Sequence, residues 1–282
     1  MWVKGSYGWP GDVEAEIRSD LIIRTDIQHL GEQYVVQAVS MGADTIVHYS
    51  FPRHMAVPAF AARRNAMRAA AEREGIGFIE LETIDPVQTV WPHASLTMFV
   101  AQDLPRQVER LGVNTAFFGT DYNMQLPLIT QTIATGAIFV LTDSFLTEYL
   151  AEVLGVVTEI PTGEYDDFGA PILRRLTQSE LLLAIDESVS DEGMPGRISS
   201  PAASDIGMWT MIGSMYAIEW LRGNVPRERG VIDIDTLQRL VNQHVAELGV
   251  DAYVVLNPFT HDGEIMEHYV LGFIGFHVFG RG

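Results

Sequence analysis

Cysteine is absent from the 282 residues, which removes the thiol nucleophile, the thiolate metal site and the disulfide together. Lysine occurs once, as Lys4, so a Schiff-base lysine and a phosphate-loop lysine are excluded as well. No apolar run reaches the roughly 18–20 residues that a membrane-crossing helix needs. The longest candidate, 134–141, is too short and reads as a buried strand. Positive charge is scarce: 18 basic residues face 37 acidic ones, for a net charge of -19. Such a surface repels phosphate backbones and anionic lipid, so neither nucleic acid nor a membrane surface is expected as a partner. No apolar stretch follows Met1, so no signal peptide is read at the start of the chain as given. The eight histidines form neither HxH nor HExxH, and no G-x-S-x-G elbow occurs. The dense run of His261, Asp262, Glu264, Glu267 and His268 reads as a solvated turn, and no metal or cofactor is expected. Gly5-Ser6-Tyr7-Gly8 is not read as a phosphate loop, because no strand is expected before it.

What remains is a globular α/β pattern. Hydrophobic residues make up 47% of the chain, enough for one large domain or two modest lobes. Strand-like runs at 20–25, 44–49, 77–81, 115–118 and 137–141 alternate with helical spacing at 28–41, 58–74, 95–111, 125–135 and 144–154. Runs that are apolar throughout, rather than alternating, fit strands of a parallel sheet covered on both faces. Beyond that, 160–171 is rich in Gly, Pro and Asp and reads as a connection. Helices are expected at 177–192, 205–222 and 233–248. Two β-rich runs, 253–256 and 269–279, follow, with a hairpin turn at Thr260-His261-Asp262-Gly263.

In an open parallel sheet, ligands sit outside the carboxyl ends of the strands. Reading those ends gives Asp26 after the first run, then Tyr49, Ser50, Phe51, Arg53 and His54 after the second. Thr120, Asp121 and Asn123 follow the run at 115–118, and Thr142 and Asp143 follow 137–141. Hydroxyls, carboxylates, an amide, an arginine and aromatics together suit a small polar ligand. Asp26, Asp121 and Asp143 also have the chemistry of helix caps, a role compatible with ligand contact. Arg53 is the expected clamp for an anionic group, while Asp121 and Asn123 would take hydroxyls or an amine. The one basic cluster, Arg63, Arg64, Arg68 and Arg73, reads as the solvated face of one helix.

The run from Thr45 to Met55 (TIVHYSFPRHM), with Ala61-Ala62-Arg63-Arg64 after it, resembles a bacterial family known only as a domain of unknown function. Asp103-Leu104-Pro105-Arg106, the segment from Thr115 to Gln125, and Gly193-Met194-Pro195-Gly196-Arg197 agree with it. The resemblance spans about 20–245 and implies a doubly wound, two-lobed fold similar to type I periplasmic binding proteins. It departs after 137–141, where family members carry cysteines and this chain has Thr142-Asp143-Ser144. Members also carry a longer stretch before the segment matching Asp20. The expectation is therefore a truncated first lobe: 1–26 as its remnant, 27–192 as the second lobe, and 193–282 as the return segment and C-terminal strands. On that division Met208, Trp209 and Ile212 are left poorly covered and would drive self-association. The resemblance implies an exported or lipid-anchored precursor; the function expected from the strand-end residues is solute binding, not catalysis, with an ABC transporter permease as a candidate partner. The rivals are a hydrolase using His54 as base in the same cleft and the ligand-sensing domain of a regulator.

Overall fold

Val47, Tyr49 and Phe51 point to one side of their strand while Ile46 and His48 point to the other, the period of two that a pleated strand imposes. Both sides meet apolar helices, and that two-sided demand organises the computed structural model. The structure describes residues 1, 3–6, 18–88, 91–142, 146–228 and 230–281. In chain order its elements begin with β1 (Val3–Ser6), β2 (Leu21–Thr25), α1 (Ile27–Ser40), β3 (Thr45–Ser50), α2 (Pro52–Met55), α3 (Pro58–Glu74) and β4 (Gly77–Glu82). Next come α4 (Pro92–Leu111), β5 (Thr115–Gly119), α5 (Gln125–Thr135), β6 (Phe139–Val140), α6 (Leu146–Val153), β7 (Glu159–Tyr165) and β8 (Pro171–Arg175). The chain ends with α7 (Gln178–Asp191), β9 (Ile198–Pro201), α8 (Asp205–Arg222), α9 (Ile234–Glu247), β10 (Val254–His261), β11 (Glu264–Ile274) and β12 (Phe276–Val278).

The larger sheet runs β4-β3-β5, continues through a parallel bridge between Ala116 and Ile138 to β6, and then to β9 and β12. All of these strands are parallel except β12, which pairs antiparallel with β9. On one face, α4, α5, α6 and α7 bury Val47, Tyr49, Phe117, Leu128 and Ile185. On the other, α1 and α3 bury Tyr34, Ile46, Met67, Ala116 and Phe118. Burial of each such side chain contributes about 1.5–3 kcal/mol.

The smaller sheet runs β1-β2-β11-β10, with β10 antiparallel and the rest parallel. Helices α8 and α9 cover it with Met208, Trp209, Ile212, Tyr216, Leu237 and Val241. This corrects the expected self-association patch, because Met208, Trp209 and Ile212 are at most 1% exposed and form the core against Leu21, Ile23 and Val270. A second correction concerns Gly5 and Ser6, which themselves lie within β1. The segment 193–282 contributes strands to both sheets, β9 and β12 to the larger and β10 and β11 to the smaller.

Three stretches of chain cross between the sheets: β2 into α1 at Asp26, β9 into α8 at 202–204, and β11 into β12 at Gly275. Hydrogen bonds tie them side by side, from Asp26 N to Gly272 O (2.8 Å) and from Ala202 N to Gly275 O (3.0 Å). Since β9 runs parallel to β6 and leads directly into a crossing, the C-terminal ends of β3, β5, β6 and β9 all face the smaller lobe.

Candidate functional site

β3 and β5 pair in register, with Tyr49 opposite Gly119, so the residues just past each strand become neighbours. Thr120 N donates to Tyr49 O at 3.1 Å, which extends the ladder to the rim. There the Thr120 hydroxyl donates to Ser50 Oγ at 3.0 Å and lies 3.2 Å from His54 Nδ1. His54 Nε2 is 3.8 Å from Asp121 Oδ2, and Asp121 Oδ1 accepts from Asn123 N at 2.9 Å and from its side-chain amide at 2.8 Å. One connected network thus joins Ser50, His54, Thr120, Asp121 and Asn123 across two strands.

The His54 ring packs 4.0 Å from that of Phe51 and 5.1 Å from that of Phe60. Burial holds its pKa below the ordinary histidine value; the Asp121 carboxylate pulls the other way and the Arg53 charge adds to the lowering. Arg53 itself is engaged. Its Nη2 lies 3.0 Å from Asp85 Oδ1 and its Nε 3.1 Å from Asp85 Oδ2, a two-point ion pair just beyond β4. The hydrogen bonds from Arg53 hold the Asp85 carboxyl below its usual range, and Val87 N also donates to it. Arg53 therefore clamps an internal carboxylate where the sequence suggested a ligand clamp.

Of the other expected residues, Asp26 caps α1, its carboxylate accepting from His29 N at 2.9 Å. Phe51 is 1% exposed and supports His54 and Arg53 with its ring. Thr142 is buried at the end of the neighbouring strand β6, on the same rim. Tyr49 is not on the rim: it is wholly buried on the α4 face, with its hydroxyl donated to Asp103 Oδ2 at 2.9 Å. Its parity with Val47 sends it there. Asp143 lies outside the described residues.

Two residues escaped the sequence reading. Asp85 follows β4 as Asp121 follows β5, and the same strand-end rule would have found it. Arg63 is 9% exposed rather than solvated; it shares the inward stripe of α3 with Phe60, Met67, Ala70 and Ala71. Its i, i+4 spacing from Met67 was the signal available. Beside the rim, a hollow of about 510 Å³ opens between α2 and the outer strands, lined by Ser50, Phe51, Met55, Glu80 and Glu82 among others. That volume suits a small molecule.

Two α/β lobes, three adjoining crossings and a polar rim at the strand ends define the class: the fold is that of type I periplasmic binding proteins. A putative transcriptional regulator from Clostridium difficile 630 superposes with a TM-score of 0.80 at 15% identity, covering 98% of this chain and 72% of that one. An ABC transporter solute binding protein from Agrobacterium vitis with bound allitol reaches a TM-score of 0.37 at 16% identity, over 80% of this chain and 66% of its own. The chain belongs to a family of proteins of unknown function, DUF3798, whose model matches residues 11–199. An uncharacterized protein of Treponema pallidum (strain Nichols) is 33% identical over 138 residues, 49% of this chain. The chain spans 62% of the length of that relative and 31% of a second from the same strain.

Proposed function

We propose that the chain binds a small polar molecule between its two lobes, at the rim formed by Ser50, His54, Thr120, Asp121, Asn123 and Thr142, with Asp26 at the first crossing. The observation that carries this reading is the convergence of side chains from the ends of β3 and β5 into one polar cluster, two hydrogen-bonded groups that meet where His54 lies 3.8 Å from Asp121. Asp121 and Asn123 present acceptors and a donor to hydroxyl or amine groups. Arg53, tied to Asp85, shapes the entrance.

The same network has the outline of a hydrolytic relay, with Thr120, His54 and Asp121 in sequence. Burial favours binding over turnover: Thr120 is 9% exposed, whereas a nucleophile must meet its substrate. The wider setting we infer is solute capture by an exported protein that hands its ligand to a permease. Among the described residues no helix is long and apolar enough to cross a membrane.

The test is a thermal-shift screen of sugars, polyols, amino acids and nucleosides on the full chain. A ligand present at about 100 times its Kd stabilises the folded state by about 2.7 kcal/mol, which corresponds to a rise in Tm of roughly 5–10 °C at this size. A hit whose shift disappears in Asp121→Ala supports the site. Failure of the whole panel, or a hit indifferent to Asp121 and Thr120, counts against it.

A further inference from the structure

The chain holds twice as many acidic as basic residues, so an arginine without a carboxylate is not explained by a shortage of partners. Arg64 pairs with Glu80 (2.7 Å), Arg73 with Glu32 (2.6 Å), and Arg53 with Asp85. Arg63 pairs with none among the described residues, although it is 9% exposed. Its Nε is fully enclosed and has no hydrogen-bond partner. The two terminal nitrogens, also without a protein partner, keep contact with solvent.

The guanidinium is held in place by rings. Its carbon lies 4.7 Å from the centre of Phe60 and 4.8 Å from that of Phe118. Gly31 of α1 makes the room: a Cβ there would come within 2.7 Å of Arg63 Cγ and 2.8 Å of its backbone oxygen. Glycine inside a helix is a poor choice by propensity, and here it lets α1 approach the α3 backbone and the base of the Arg63 side chain. Phe118 lies two residues before Thr120, and the Phe60 ring also packs on His54, so the two rings that hold the cation border the rim just described.

We propose that Arg63 anchors an anionic group, a carboxylate or a phosphate, on the small molecule bound at this rim. The proposal deepens the ligand-binding reading and rests on it. A planar cation held against two rings has already lost much of its side-chain freedom, and only its two terminal nitrogens remain open to an incoming group. An acid from outside then completes the pair that no described residue supplies. Burial brings the guanidinium pKa down to about 10, which leaves it charged at neutral pH. Asp121 nearby gives the same ligand an acceptor for a hydroxyl or amine, so the class is a small organic acid or phosphate ester bearing such a group.

The experiment compares the wild-type chain with Arg63→Met, Arg63→Lys and Arg53→Ala by thermal unfolding, with inorganic phosphate, acetate or sodium chloride at matched ionic strength. Phosphate or acetate is expected to raise the Tm of the wild type and of Arg53→Ala by roughly 2–4 °C beyond chloride, and to leave Arg63→Met unmoved. The stronger of the two anions identifies the group. Without anion, Arg63→Met should melt at or above the wild type, because an uncompensated buried charge has been removed. Arg63→Lys keeps the charge without the fork and should respond more weakly than the wild type, which serves as the test should Arg63→Met not fold. Equal anion responses in wild type and Arg63→Met, or in wild type and Arg63→Lys where only that variant folds, overturn the proposal. So does the absence of any anion effect on the wild type. A neutral hit from the solute panel binding Arg63→Met unchanged would leave the ligand-binding reading standing and remove only the anion anchor. An Arg63-dependent phosphate response with no hit in the panel would support the anion anchor and count against the neutral solutes of the panel as ligands.

Discussion

Gly272 lies so close beneath the indole of Trp209 that a Cβ built on it would fall inside the ring's van der Waals envelope. Gly272 belongs to β11, two residues before the end of the strand that crosses to the larger lobe, and its carbonyl accepts from Asp26 at another crossing. Close packing of α8 on the sheet thus depends on a missing side chain beside the crossings. Gly272→Ala is expected to cost about 1–3 kcal/mol through overpacking. Urea unfolding of the variant checks this; a change under about 0.5 kcal/mol, the range of a neutral surface substitution, would show that the ring is free to move.

Thr25 closes the same joint from the other side. Its hydroxyl donates to Asp205 Oδ2 at 2.7 Å and accepts from Trp209 Nε1 at 3.0 Å, so within the smaller lobe the end of β2 is bonded to the start of α8 beside the crossings. Thr25→Val keeps the shape, strands the indole N–H in a buried setting, and should lose about 1–3 kcal/mol. Urea unfolding reads the loss directly; a change under about 0.5 kcal/mol would show that the indole finds another acceptor.

The parts of this fold that were legible in the sequence are those governed by local rules. The helices at 58–74, 125–135 and 205–222 match to the residue, since Gly75, Gly136 and Gly223 end them in the left-handed region. The expected turn before β11 forms with Asp262 at φ 50° and Gly263 at φ 82°. What escaped depended on partners. β9 is Ile-Ser-Ser-Pro, small and polar, and is a strand only because β6 and β12 flank it. β7 and β8 are exposed almost throughout and carry Pro161 and Gly163, so no apolar alternation marks them within the connection expected at 160–171. At the site, the strand-end rule found the rim residues but not their pairing. That Arg53 is taken by Asp85 while Arg63 is left without an acid follows from where α3 lies on the sheet, a tertiary fact.

His48 gives the acid limb of stability a specific source. It is 1% exposed, stacks on Phe118 with ring centres 5.2 Å apart, and neither ring nitrogen has a hydrogen-bond partner. Burial first, and then the charges of Arg63 and Arg64, lower its pKa to about 3. The folded value lies below the unfolded one of about 6.5, so the unfolded chain takes up the proton first as pH falls. The stability contribution is complete above about pH 6.5 and is lost from there down towards pH 3, at no more than about 1.4 kcal/mol per pH unit. His48→Leu removes this source. The drop in unfolding free energy between pH 7.5 and pH 5 should be smaller in the variant by about 1–2 kcal/mol. Parallel pH profiles for the two proteins would mean that His48 is hydrated in solution.

His54 titrates under opposing influences that can be removed one at a time. Its ring is enclosed by Phe51 and Phe60, and this burial lowers its pKa below the ordinary value; the Asp121 carboxylate at 3.8 Å raises it, Arg53 lowers it, and Asp85 raises it more weakly. Asp121→Asn should therefore move the His54 midpoint further down, Asp85→Asn should move it down by less, and Arg53→Ala should move it up. Because the folded value already lies below the unfolded one, the contribution to stability is present above about pH 6.5 and fades as the solution is acidified. Asp121→Asn deepens that loss, while Arg53→Ala makes it shallower. Imidazole NMR titrations of the three variants read the midpoints directly, with the wild type as reference. An upward shift in Asp121→Asn would mean that the carboxylate does not face the ring in solution. The network linking β3 to β5 through His54 would then have to be redrawn before any ligand contact is assigned to Asp121.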